Sequence, residues 1–433
     1  MTRREWPASC GIATLVLLAF VWAVGGQARA APLSLSQALR LADQESQGLV
    51  AGRAEVAASS EDAKAAQQLP DPVLSAGIQN LPFTGADRFN FNRADMTMKT
   101  IGLSQQWVGR SKRAARAERA QLRGAVNMAQ ADADQLGILQ EVATNWFALL
   151  LAKHEEHLLD QDRHLLTTLI AGAEASVASS TMPAGDAIAA RQALLEHDNE
   201  HAELDARIGS LKAALFRWTL VADPEPSGTL PDFTMAPADP AQLEVLVQSH
   251  AAVLAAAAAL RAAQADTAVM RAERHPDWTA KLGFGQRDGD RSQMVSLMFS
   301  VPLPINRAAR QDRVVEATHS REIAAAAKVE AARRKALAEI RGMWATWQSA
   351  TDRLRRFDDA LVPLARQQAD LAAARYGAGT GSLDDAIQAD RNQIDVGRER
   401  LALLGDLGRA WVSLMLLDAD RTRSLFRTNE ASQ

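Results

Sequence analysis

Cysteine is nearly absent. The only one, Cys10, lies at the start of an apolar N-terminal stretch, so once that stretch is removed no thiol remains for a disulfide, a thiolate metal site or a cysteine nucleophile. Aromatic residues make up only 5% of the chain, against a hydrophobic share of 47% dominated by alanine. That balance suits close packing of helix on helix better than a thick globular core. No basic stripe survives the interleaved acidic residues, which excludes a nucleic-acid partner. A Walker loop, a G-x-S-x-G elbow and a Rossmann glycine fingerprint are all missing, so no enzyme and no cofactor is expected.

What is present begins with a targeting segment over residues 1–30. Arg3 and Arg4 precede an apolar run at 11–24, and Ala28-Arg29-Ala30 offers small residues at a cleavage site. The run is shorter than the ~20 residues of a membrane-spanning helix. Cleavage after Ala30 takes away Arg3, Arg4, Glu5 and Arg29, a net +2, and moves the formal charge from -4 to -6.

The rest reads as a duplication. The first repeat, 31–222, opens with an Ala-rich helix over 33–68, capped by Ser34 or Ser36 and stopped at Pro70-Asp71. A hairpin follows at 72–107, then about 65 residues of proline-free helix to Ala178, a break at "SSTMPAGD" and a helix to about Leu220. A Pro-rich linker, 223–240, leads to a second repeat at 241–420. Its helix over 242–274 stops at Pro276-Asp277, its hairpin spans 277–303, and about 70 residues of helix run from Arg307 to Tyr376. "GAGTGSLDD" breaks that helix, a last helix reaches about Leu417, and 421–433 form a tail. "GDAIAARQ" from Gly185 aligns with "DDAIQADR" from Asp384, and Trp146 with Trp344.

The strands carry a membrane signature. Trp278, Ala280, Leu282 and Phe284 alternate with Thr279, Lys281, Gly283 and Gly285, and Val295, Leu297 and Phe299 alternate with Ser296, Met298 and Ser300. Period-two alternation over about ten residues suits a barrel strand with lipid on one side and water on the other. The same pattern fits two hairpins on a water-soluble helical body; the secretory segment and the long helices favour the membrane. Four strands cannot enclose a conducting barrel, so several chains must contribute.

The secretory segment, the duplicated Pro-Asp steps, "GLSQQWVGRSKRA" from Gly102, "SVPLPINRAAR" from Ser300 and "ARYGAGTGSLDDAIQADRNQ" from Ala374 together resemble the TolC-like outer-membrane efflux factors. The resemblance covers essentially the whole chain after residue 30. "LPDPVLSAGIQNLP" and "MTMKTIGLSQQW" are most similar to members serving heavy-metal pumps of the cobalt-zinc-cadmium and copper-silver kind. It implies a mainly α protein with a membrane β part: a homotrimer whose helical hairpins form a periplasmic tunnel, each chain giving four strands to a twelve-stranded barrel in outer-membrane lipid. The implied partners are a periplasmic adaptor and an inner-membrane pump, and the implied function is passive conduction from periplasm to outside. The alternative from another class is a secreted or membrane-anchored coiled-coil scaffold without a pore.

The resemblance also singles out residues. Gly379, Thr380, Ser382, Asp385, Ile387 and Ala389 match or conservatively replace the family's helix-turn-helix motif, while Gly381 stands where the motif has arginine. Asp385 then takes the position of the constriction aspartate, Asp384 reinforces it, and Asp186 is the counterpart in the first repeat. Three copies near an axis would repel one another and favour a bound cation. The competing reading of each is an ordinary acid at a helix start. The tips that would meet an adaptor are Pro183 and Gly185 in the first half, and Gly379, Thr380, Gly381 and Ser382 in the second. Five of eight histidines, His154, His157, His164, His197 and His201, cluster in two adjoining helices. A solvated charged face accounts for them, and no metal site is assigned; "HDNEH" matches a zinc-peptidase pattern without a cleft or third ligand.

Overall fold

The computed structural model describes residues 31–179, 184–237 and 243–417. The expected signal segment, Pro183, the end of the linker and the tail 421–433 lie outside the described residues. The chain forms two compact units, one from Met1–Ser46, Ile138–Ala238 and Met343–Gln433, the other from Gln47–Gly137 and Asp239–Gly342.

The first half holds β1 (Ala31–Leu33), α1 (Leu35–Glu45), α2 (Gln47–Ala66), β2 (Val73–Gln79), β3 (Met98–Trp107), α3 (Arg110–Ala178) and α4 (Ala184–Thr219). After β4 (Pro224–Pro226) come α5 (Leu243–Ser249), α6 (Ala251–Ala272), β5 (Trp278–Gln286) and β6 (Met294–Ser300). α7 (Gln311–Arg356), a π turn at Phe357–Leu361, α8 (Val362–Gly377) and α9 (Leu383–Met415) complete the second half. Among the described residues each half shows helix, hairpin and long helices in the same order.

Three of the expected helices are interrupted. The first breaks at Ser46, whose ψ of 106 is extended, and the helix expected over 242–274 breaks at His250. There the imidazole accepts from the Ala252 N–H and caps a fresh helix start. The third break follows from Pro363, which the first half lacks: a proline inside a helix has no N–H for the carbonyl four residues back. The chain answers with a π turn in which the Val362 N–H reaches Phe357. α3, by contrast, runs 69 residues without interruption.

In the helical unit the linker supplies a strand that its prolines hide, β4, which pairs parallel with β1. Ser34 starts α1 with a capping box shared with Gln37. Each repeat then anchors its entering chain on a buried indole: Trp146 Nε1 donates to the Leu33 carbonyl at 2.7 Å, and Trp347 Nε1 to that of Phe233 at 2.8 Å. In the second half this part belongs to Trp347, not to Trp344, the residue that spacing aligns with Trp146.

In the other unit β2, β3, β5 and β6 form one antiparallel sheet in that order, so the hairpins of the two repeats join edge to edge through β3 and β5. The Pro-Asp steps mark where helix gives way to strand. Lys112, buried, donates to the His275 carbonyl at 2.9 Å and to Asp277 at 2.8 Å. Gln105 holds the Pro70 carbonyl at 2.8 Å.

Candidate functional site

The sheet has two chemically distinct faces. Its register sets Leu74, Leu103, Leu282 and Leu297 in one row and Ala76, Ile101, Phe284 and Val295 in the next. Trp107 and Trp278 close this face at one end, stacked with ring centroids 4.4 Å apart. The side chains of these rows are exposed; Leu297 keeps 64% of its surface. On the opposite face the row is Ser75, Gly102, Gly283 and Ser296, followed by Val73, Ser104, Lys281 and Met298. A Cβ at Gly283 would stand 2.7 Å from Ser296 Oγ, so the glycine leaves room there for the neighbouring strand's hydroxyl. Leu282, Phe284, Leu297 and Phe299 thus share one face, and Lys281 and Ser296 the other.

The helix-turn-helix between α8 and α9 is built on one carbonyl. Gly379, at φ +70, turns the chain into the left-handed region that glycine tolerates. The Thr380 and Gly381 N–H groups, and the Thr380 hydroxyl, then all donate to the Arg375 carbonyl at 2.9, 3.0 and 3.2 Å. Gly381 lies so close to that strand of backbone that an added Cβ would meet Arg375 Cβ at 2.9 Å. Any side chain at Gly381, arginine included, would need the neighbouring turn to shift. Ser382 caps α9, accepting from the Asp385 N–H at 3.0 Å. Beneath the turn, Leu383 and Ile387 are buried with Leu166, Leu169 and Ala173 of α3 and Ala187, Ala190 and Ala193 of α4.

Asp384 and Asp385 are exposed in the first turn of α9, a place the helix dipole favours for acids. Gly185 is exposed in the first turn of α4; Asp186 lies beside it, and its side chain is outside the described part. The turn thus gathers Gly379, Thr380, Gly381, Ser382, Asp384 and Asp385 at one end of α9.

The histidines do not act as pairs. His154 bonds the Leu150 carbonyl, His157 meets Gln161, and His201 lies near Asp160 and Asp205. Among the described residues no group of three or more His, Asp or Glu side chains is placed to hold a metal ion. His197 departs from the solvated face expected for it. It is buried, with Nδ1 3.0 Å from Asp162 Oδ2. Burial pushes its imidazole below the usual value. Asp390 of α9 is also buried; burial first, then the neighbouring Asp162, pushes its carboxyl up to about 8. The signal for these three was their position: each occupies the apolar seam of its helix, as in Leu383, Ile387, Asp390, Ile394.

Residues 243–419 match the family of outer membrane efflux proteins. Over 396 residues the chain is 24% identical to the cobalt-zinc-cadmium resistance protein CzcC of Cupriavidus metallidurans, covering 90% of each. Of the solved structures, CusC aligns with a TM-score of 0.75 at 16% identity over 92% of this chain and 95% of that one. The Campylobacter jejuni CmeC outer membrane channel aligns with a TM-score of 0.75 at 14% identity over 91% and 89%. The fold of these channels extends over both repeats, and residues 243–419 carry the similarity to the outer membrane efflux protein family.

Proposed function

We propose that three copies of this chain form the outer-membrane channel of a tripartite efflux system, conducting substrate passively from periplasm to outside. The observation that carries this is the sheet: four strands with one exposed apolar face, an opposite face that carries a row of glycine and serine, and β2 and β6 each paired on one side only. An open apolar sheet is a hazard in water. In lipid, closure against other copies satisfies both edges and hides the leucine rows. A pore-free coiled-coil scaffold gives no reason for matched alternating hairpins. Energy comes from an inner-membrane pump through a periplasmic adaptor, and the chain itself needs no catalytic group.

The similarity to a cobalt-zinc-cadmium resistance protein over nine-tenths of both chains supports heavy-metal cations as the substrate class. Asp385, reinforced by Asp384 and with Asp186 as counterpart, is assigned to the narrowest point of the conduit. Gly379, Thr380, Gly381 and Ser382, with Pro183 and Gly185, are assigned to the adaptor contact. Alkaline washing of membranes, cross-linking and bilayer recording test the reading together. A channel stays in the outer membrane, cross-links as a trimer and conducts; release by alkali, or a stable monomer without conductance, overturns it.

A further inference from the structure

Three ionisable side chains stand at seam positions whose neighbours along each helix are leucine, isoleucine or alanine. Asp162 on α3 lies between Leu159 and Leu166, His197 on α4 follows Ala190 and Ala193, and Asp390 on α9 lies between Ile387 and Ile394. The His197 and Asp162 side chains keep only 3% and 7% of their surface. His197 Nδ1 and Asp162 Oδ2 are 3.0 Å apart, while Asp162 Oδ1, Asp390 Oδ2 and His197 Nε2 find no hydrogen-bond partner. Two ionised carboxylates offer only acceptors, and a buried acceptor without a donor is destabilising. One proton in the carboxyl pair supplies the missing donor between α3 and α9.

We propose that Asp162, His197 and Asp390 form a proton-binding clasp that holds the start of α9 against α3 and α4, closed while the carboxyl pair keeps its proton and loosened when that proton leaves. Asp390 stands five residues from Asp385 on the same helix, roughly 7.5 Å at ~1.5 Å per residue, so the clasp acts on the turns that carry the exposed acids. A recess of about 20 Å3, lined by Asp162, His197, Glu200, Arg391 and Asp395 among others, leads to it.

The surrounding charges are largely paired with one another. From α3, Arg163 meets Asp198 at 3.1 Å and Asp160 meets His201 at 3.6 Å. From α4, Glu196 takes Arg391 at 2.5 Å and Glu200 takes Arg398 at 2.8 Å; Arg398 also reaches Glu155 at 2.9 Å. Asp198 and Glu200 favour a charged His197, and His201 and Arg163 oppose it. On α9 itself Asp395 is exposed, and α8 turns Ala365 and Ala369 inward with Asp370 exposed.

The sign follows from the two shifts. Asp390, raised from 3.8 to about 8, contributes stability that is full below about 4 and is lost as pH rises through about 8. His197, lowered from 6.5, contributes stability present above 6.5 and lost as pH falls through its folded value. Between pH 6.5 and 9 the pH dependence of the clasp therefore belongs to Asp390.

The proposal concerns packing within one helical unit and stands independently of conduction. Its test uses the full-length protein in detergent, wild type and Asp390→Asn, with the exposed Asp370→Asn of α8 as control. Infrared difference spectra should show the C=O stretch of a protonated carboxyl group that disappears near pH 8 in wild type and in Asp370→Asn, and is missing in Asp390→Asn. Hydrogen exchange over 383–400, corrected for its chemical rate, should rise between pH 7 and 9 in wild type, by at most about tenfold per pH unit for one linked proton. In Asp390→Asn it should stay flat. A carboxyl band lost by pH 6, a band that survives Asp390→Asn, or the same exchange profile in both proteins overturns the clasp. Should Asp390→Asn fail to fold, the wild-type infrared titration decides alone.

Discussion

The sheet leaves Leu74, Leu103, Leu282 and Leu297 exposed in one row, while the helices bury Asp162, His197 and Asp390 in their seams. Each region inverts the ordinary rule of burial, and the inversions differ in kind. Scattered exposed leucines are common, but leucines in register across four strands, backed by a row of glycine and serine, mean that the solvent on that side is not water. The buried acids have no such explanation by lipid. They lie within tightly packed helices, and only a proton or a partner makes them tolerable there.

The sharpest test of that contrast is the same deletion made in both places. Leu383, 1% exposed, packs beneath the turn at the start of α9, and Leu383→Ala should cost about 2–5 kcal/mol by emptying that core. Leu297→Ala, in the solubilised protein, should shift thermal unfolding far less. Equal losses at both sites would mean that Leu297 is covered by protein and not by lipid or detergent.

A second test addresses the solvent directly. Leu297→Arg places a charge at mid-strand on the apolar face, where lipid imposes about 2–4 kcal/mol; Ser296→Arg places it on the opposite face. The yield of protein inserted in the outer membrane should fall much more for the first. The reverse order would exchange the two faces.

Why one inversion was legible and the other was not has a physical basis. Strand faces alternate every residue, so Trp278 to Phe284 already announced its two faces, and "GAGTGSLDD" announced a turn. Helix seams are read only against neighbours. Asp162, His197 and Asp390 come from three segments, and His197 sits in the charged run "HDNEH", which reads as a wet surface until α3 and α9 close over it. The breaks at Ser46 and His250 were hidden because both lie in sequence with good helical pattern. Pro363 interrupts the expected helix, and a π turn carries the chain on into α8.

A smaller effect is expected where the turn departs from the helix-turn-helix motif of the efflux factors it resembles. Gly381→Arg restores the motif's arginine, yet its Cβ would press on Arg375 Cβ at 2.9 Å and on the backbone beyond. We expect a cost of about 1–3 kcal/mol in thermal unfolding, relieved in part by Arg375→Gly, which removes the opposing Cβ. A neutral Gly381→Arg would show that the turn relaxes freely and that crowding did not exclude the arginine.

The smallest effect on stability should be the most informative about conduction. Asp385 uses its backbone N–H, not its carboxylate, in the bond to Ser382 Oγ. Asp385→Ala therefore leaves the cap intact and loses only a favourable charge at the start of α9, about 0.3–1 kcal/mol. Ser382→Ala removes the cap itself, about 1 kcal/mol, and leaves the charge in place. If the acids at this turn line the conduit, Asp385→Ala should weaken cation selectivity and block by multivalent cations from the periplasmic side in bilayer recordings. Ser382→Ala should lower the unfolding temperature and leave selectivity unchanged. Were both variants to shift stability alone, Asp385 would be an ordinary first-turn acid, and the constriction would have to be sought elsewhere along the helices.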